Sequence, residues 1–135
     1  MKPQRAATVL LHRPDGKILM QLRDDGGGKE IPFPNAWNFP GGLVEDGETP
    51  LEAAVREIKE EYDLEIDPTV CRQIWAYSHA HADEDYIFLC NVAIDVAPVL
   101  HEGAAFAWMT PAEIGEVSLG FDQGKVLPHI PSDEH

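Results

Sequence analysis

The chain has 135 residues, 44% of them hydrophobic and 25% charged, enough for one folded domain with a real core and no second one. Its formal net charge of −14 leaves no basic stripe for phosphate backbones, which excludes a general nucleic-acid binder. No apolar run approaches bilayer length, and the start (MKPQRAATVLLHRPDGK) lacks a signal-peptide pattern, so no membrane partner and a cytoplasmic location are expected.

Arg5 to His12 and Lys17 to Arg23 are apolar runs split by Arg13-Pro14-Asp15-Gly16, a turn signal, and predict a hairpin. Asp24 to Asn35 is a loop with three consecutive glycines and two prolines; no Gly-Lys-Ser/Thr follows, so it is not a phosphate cradle. Ala36 to Pro40 is a short extended piece running into Gly41-Gly42, where backbone can approach a ligand closely.

The stretch Gly42 to Leu64 organises the rest. Thr49, Pro50 and Glu52 form a capping box with proline at the first helical position. Leu51, Ala54, Val55, Ile58 and Tyr62 recur at helical spacing and are expected to face a core. Glu57, Glu60 and Glu61 then share one edge of the helix. Like charges at this spacing repel by about 0.2–0.5 kcal/mol per pair. Arg56 can relieve part of this through Glu60 at i+4, and a hard divalent cation would relieve far more. A solvated acidic face is the alternative for a bare ExxEE.

Val70 to His79 and Tyr86 to Asp95 read as a second hairpin with a polar tip from His81 to Asp85. Histidines at such a tip are ordinarily solvated; His79 and His81 also leave open a second metal site or a substrate-contacting loop. On this register Cys71 and Cys90 fall out of step, so free, partly buried thiols are expected. Ala105 to Met109 is a further strand. Thr110-Pro111-Ala112-Glu113 repeats the capping box and predicts a short second helix; Phe121 to Leu127 adds a helical turn or two, and Pro128 to His135 a frayed tail. Strands and helices without βαβ alternation indicate α+β.

Gly42, Glu48 six positions on, and Arg56-Glu57-Ile58-x-Glu60-Glu61 eight positions after that resemble the signature of the Nudix hydrolase family. Asp63 stands where the pattern has glycine, a helix-closing position that needs left-handed geometry, which Asp tolerates. The resemblance implies a mixed β-sheet sandwiched between helices, an α/β/α sandwich, and Mg²⁺- or Mn²⁺-dependent cleavage of a pyrophosphate bond in a small nucleotide substrate. It casts Glu57 and Glu61 as principal metal ligands, the Gly41 carbonyl as another, and Glu60 as a third carboxylate ligand or the base. Arg56 would orient a glutamate, and Glu48 would support loop and helix. Glu102, outside the motif, is expected as a further ligand or the general base. Phe33, Trp37, Tyr77, Tyr86 and Phe106 are candidates for stacking on a base, each with core packing as its alternative. Substrate choice stays open between modified nucleoside triphosphates and nucleotide sugars. Homodimerisation is a family tendency only, and a catalytically inactive nucleotide- or partner-binding module is the competing function.

Overall fold

The structure, a computed structural model, describes residues 4–28, 30–101 and 103–131. Its described strands form a mixed sheet: β1 (Arg5–His12), β2 (Ile18–Leu22), β3 (Trp37–Asn38), β4 (Gly41–Leu43), β5 (Cys71–His79), β6 (Ala82–Asn91) and β7 (Ala105–Met109). The order is β3-β2-β1-β6-β5, with β4 paired to β1 and β7 to β2. β1 and β6 run parallel, from Arg5↔Glu84 to His12↔Asn91, and the other strand pairs are antiparallel.

Alternation along β1 divides the core. Ala7, Val9 and Leu11 face the long helix α1 (Pro50–Tyr62), where Ala53, Ala54, Ile58 and Tyr62 meet them with Leu19 and Phe88. Leu10, with Ile18, Met20, Phe39, Ile87 and Leu89, lies in a second core capped by Ile114 of the short α2 (Pro111–Ile114) and Val126 of a 3-10 segment, Gln123–His129. The sheet is thus covered on both faces, as the α/β/α expectation requires. One predicted core residue moves: Ala53 is buried, whereas Val55 lines a shallow groove on the outer flank of α1 with Leu51 and Ile66.

Both capping boxes form. Thr49 Oγ1 accepts from Glu52 N–H (3.1 Å) and Glu52 Oε1 from Thr49 N–H (2.8 Å); Thr110 and Glu113 repeat the arrangement. The tail is more ordered than expected: the 3-10 segment runs to His129, and Ile130 packs on the second core. Residues 132–135 lie outside the described residues.

The β5–β6 hairpin corrects two expectations. It turns at Ala80-His81, so Ala82 to Asp85 belong to β6 and not to a loop. That shorter turn, with shifts between Gln73 and Trp75 and between Tyr77 and His79, brings Cys71 opposite Cys90. The two cysteines are joined in a disulfide and are not the free thiols expected. No helix among the described residues is long and apolar enough to cross a membrane.

Candidate active site

The acidic edge of α1 meets the Gly41-Gly42 strand. β4 is stitched to β1 through Ala7↔Gly42 and Thr8↔Gly41, and α1 packs against it, with Glu57 over Gly42. A Cβ on Gly41 would overlap the Ala7 carbonyl oxygen. A Cβ on Gly42 would lie 2.6 and 2.7 Å from the two carboxylate oxygens of Glu57. Backbone leaves no room for a side chain at Gly41, and at Gly42 a side chain would displace the Glu57 carboxylate from its present position.

Arg56 gathers the carboxylates. Its Nε and Nη2 donate to Glu48 Oε2 (2.8 Å) and Oε1 (3.0 Å), its Nη1 to Glu57 Oε1 (2.8 Å) and Glu60 Oε1 (3.1 Å), and Nη2 also to the Leu43 carbonyl (3.0 Å). The planar guanidinium suits such multidentate work. The Arg56 hydrogen bonds hold the Glu48 carboxyl below its usual range, and those carboxylates in turn raise the Arg56 pKa. Glu48 also accepts from Glu45 N–H (3.0 Å), so it braces the loop, as expected. With its native pKa depressed, the Glu48–Arg56 pair contributes stability above the unfolded value of about 4.3 and loses it as pH falls through the lower native value. Glu48→Gln should therefore lower stability at neutral pH and flatten the acid limb, so that wild type and variant converge in urea-unfolding series as the pH falls below the depressed Glu48 value.

Glu60 is about half exposed, at 54%, whereas Glu61 is buried, at 5%. Burying a carboxylate costs free energy unless charge or hydrogen bonding compensates. Among the described residues, no three His, Cys, Asp or Glu side chains close into a ready metal cage. The donor set suits a different kind of site. Carboxylates and a backbone carbonyl are hard oxygen donors, and Mg²⁺ characteristically takes one or two carboxylates and keeps its remaining positions for water and substrate phosphate. Glu57, Glu61 and the Gly41 carbonyl fit that pattern. Glu102 lies outside the described residues.

A cavity of about 220 Å³ opens beside this edge, with Gly42 common to both. Thr8, Asn38, Asp85 and Gln123 supply its polar wall, and Arg23, His81 and Phe121 also line it. Asp85 is buried; Thr8 Oγ1 donates to its Oδ1 (2.7 Å) and His79 Nε2 to its Oδ2 (2.9 Å). His81 N–H donates to His79 Nδ1 (3.1 Å), which puts the His79 ring proton on Nε2. Burial pushes the Asp85 carboxyl up, opposed by its bonds to His79 and Thr8. Gln123 Oε1 accepts from Phe39 N–H (2.7 Å). The Asn38 amide nitrogen donates to the Phe39 carbonyl (2.7 Å), while its buried Oδ1 has no hydrogen-bond partner among the described residues.

The five residues expected to touch substrate separate. Phe33 stands by the cavity, its ring 4.8 Å from Phe121 and 5.4 Å from His81. Phe33 (φ 52°) and Phe121 (φ 56°) both have left-handed backbone, a strained state for an aromatic residue. None of the five lines the cavity itself, and Phe33 reaches it only through Phe121 and His81, which do. Trp37 packs on the second core; Tyr77 stacks on Trp75 and donates its hydroxyl to the Phe121 carbonyl (2.7 Å); Tyr86 and Phe106 pack against the helix-side core. His79 and His81 serve Asp85 and the cavity wall, and the metal group once open to them is not formed among the described residues. Thr8, Arg23, Asn38, Asp85, Phe121 and Gln123 were not foreseen. Asp85 alone had a signal in the sequence: a turn at residues 80–81 would have put it in a strand.

An acidic helix edge floored by glycine thus borders a cavity of about 220 Å³, and known proteins resemble this chain. A family model described as NUDIX domain matches residues 2–130. A MutT-like protein from Streptomyces ambofaciens is 27% identical over 124 residues, covering 85% of this chain and 75% of the relative. A nucleoside triphosphatase NudI from Escherichia fergusonii is 28% identical over 140 residues, covering 92% and 94%. The crystal structure of a MutT NUDIX hydrolase from Burkholderia pseudomallei superposes with a TM-score of 0.77 at 20% identity, covering 97% of this chain and all of that one, and shares its fold. The chain belongs to the Nudix hydrolase family.

Proposed function

We propose that this chain hydrolyses the pyrophosphate bond of a nucleoside diphosphate linked to another moiety, either a modified nucleoside triphosphate or a nucleotide sugar, with Mg²⁺ or Mn²⁺. The observation that carries this reading is the Arg56 hub, which draws Glu48, Glu57 and Glu60 together on one helix edge with Gly42 directly beneath Glu57. The nucleoside triphosphatase among the relatives supports the triphosphate arm.

In this reading Glu57, Glu61 and the Gly41 carbonyl hold the cation. When bound, it offsets the charge of the phosphate oxygens, which otherwise repel a nucleophile. The chain does the rest. The cavity takes the nucleoside, with Phe121 and His81 offering ring faces and Asn38 Oδ1 an acceptor for a base N–H. Arg56 keeps Glu57 and Glu60 in fixed orientations. Water attacks phosphorus, the bridging P–O bond breaks with its electron pair leaving on the departing phosphate, and a carboxylate, Glu60 or Glu102, takes the water proton.

Nucleotide and phosphate release across a panel of nucleoside triphosphates and nucleotide sugars tests this. Turnover that needs added Mg²⁺ or Mn²⁺ and stops with chelator is expected. Tight nucleotide binding with no turnover on any member would instead make the chain a binding module.

A further inference from the structure

The end of α1 is closed from outside the helix. The last carbonyls of a helix lack partners within it. Here Lys59 O accepts from Asp63 N–H (3.0 Å), but Glu61 O accepts from His101 N–H and Tyr62 O from Val99 N–H, both at 2.9 Å. The segment that leads into β7 is therefore spliced onto the peptide groups of Glu61 and Tyr62. A side-chain bond closes the splice: Asp63, in left-handed geometry (φ 56°, ψ 30°), meets His101 Nε2 through Oδ2 at 2.8 Å. Asp63 is the one position of the motif where this chain departs from glycine, and glycine could not make that bond.

The contacts continue round Glu61. Tyr62 Oη donates to Gln21 Oε1 (2.9 Å), Gly103 packs against the Gln21 side chain, and Ala104 N–H donates to the Leu22 carbonyl (2.9 Å). His101 is thus tied to the Glu61 carbonyl, and Gly103 and Ala104 to β2. Asp63 and His101 are each about half exposed, so their bond adds little stability by itself. What it supplies is direction: it fixes how residues 99–101 lie across the end of the helix edge that carries Glu61.

We propose that Asp63 and His101 are positioning residues: their clasp holds the Glu61 peptide and the 99–101 segment in register for catalysis. The kinetic part rests on the hydrolase reading above; the clasp itself rests on geometry alone.

Asp63→Gly separates the two roles of residue 63, because glycine keeps the left-handed cap and removes only the carboxylate. The full-length chain, with Asp63→Gly, Asp63→Asn, His101→Ala and the Asp63→Gly/His101→Ala double variant, is compared by amide hydrogen exchange, thermal midpoint, kcat and KM. Asp63→Gly is expected to melt no lower than wild type, yet to exchange the Val99 and His101 amides about tenfold faster. Its kcat should fall about tenfold with KM for nucleotide unchanged, the scale of a lost orienting partner. Asp63→Asn, which can still accept from His101, should recover most of both, and the double variant should be no worse than either single one. Unchanged exchange in Asp63→Gly overturns the clasp. Faster exchange with unchanged kcat, or a kcat loss that follows the melting temperature, overturns the positioning role. A wild type inactive on every substrate would remove the hydrolase reading and the kinetic claim with it, leaving exchange to decide the clasp.

Discussion

Replacing Glu61 by glutamine should reduce metal-dependent turnover about 10²-fold or more while leaving the fold in place. The expectation follows from position and isostery. Glu61 is buried on the same helix edge as Glu57, one residue past Glu60, and the amide fills the same volume without the charge. Loss of an orienting partner of a metal ligand typically costs 10- to 100-fold, so losing a ligand should cost at least the upper end of that range. Circular dichroism and a denaturation curve on the same preparation separate lost chemistry from lost structure. Wild-type turnover in Glu61→Gln would remove that residue from the site.

Arg56→Ala should do the opposite kind of damage, to stability as well as rate. The guanidinium makes two bonds to Glu48, two to Glu60 and one each to Glu57 and the Leu43 carbonyl. Removing it leaves three carboxylates facing one another around a partly buried space. Breaking such a part-buried network by deleting its cation costs about 1–3 kcal/mol, because the partners lose both the attraction and the hydrogen bonds. Arg56→Lys should recover only part of this, since an ammonium cannot match the forked geometry. Urea-unfolding midpoints of the three proteins decide it. An alanine variant within a few tenths of a kcal/mol of wild type would show the hub to be decorative.

The parts of this molecule that were legible in the sequence are those set by local chemistry. Thr49-Pro50-x-Glu52 and Thr110-Pro111-x-Glu113 announced both helix starts, since a capping box is written in four consecutive residues. The helical spacing of α1 announced most of its buried face, Ala54, Ile58 and Tyr62. The Arg56–Glu60 contact on the acidic edge followed from helical spacing, whereas the roles expected of the motif glutamates and Arg56 came from the family resemblance. What stayed hidden depends on contacts distant in sequence. Nothing local tells β1 to pair in parallel with β6, about eighty residues on, yet that pairing sets Thr8 beside Asp85 and builds the cavity wall. The run Asp83-Glu84-Asp85 reads as a loop by polarity, but Asp83 Oδ2 accepts from the Gln4 amide and Asp85 turns inward to Thr8 and His79. That misplaced turn also hid the Cys71–Cys90 bridge. The left-handed backbone of Phe121 has no residue-type signal at all, because phenylalanine is a poor choice there on local grounds. Such violations gather where binding outweighs local preference.

The most direct measurement is a calorimetric titration of Mg²⁺, and separately Mn²⁺, into the folded chain, with and without a non-hydrolysable nucleotide, in wild type and Glu61→Gln. Saturable uptake by wild type, tightened by nucleotide and lost in Glu61→Gln, is the predicted result. No uptake by wild type in either condition would contradict the claim that the crowded carboxylates of α1 are there to hold a cation.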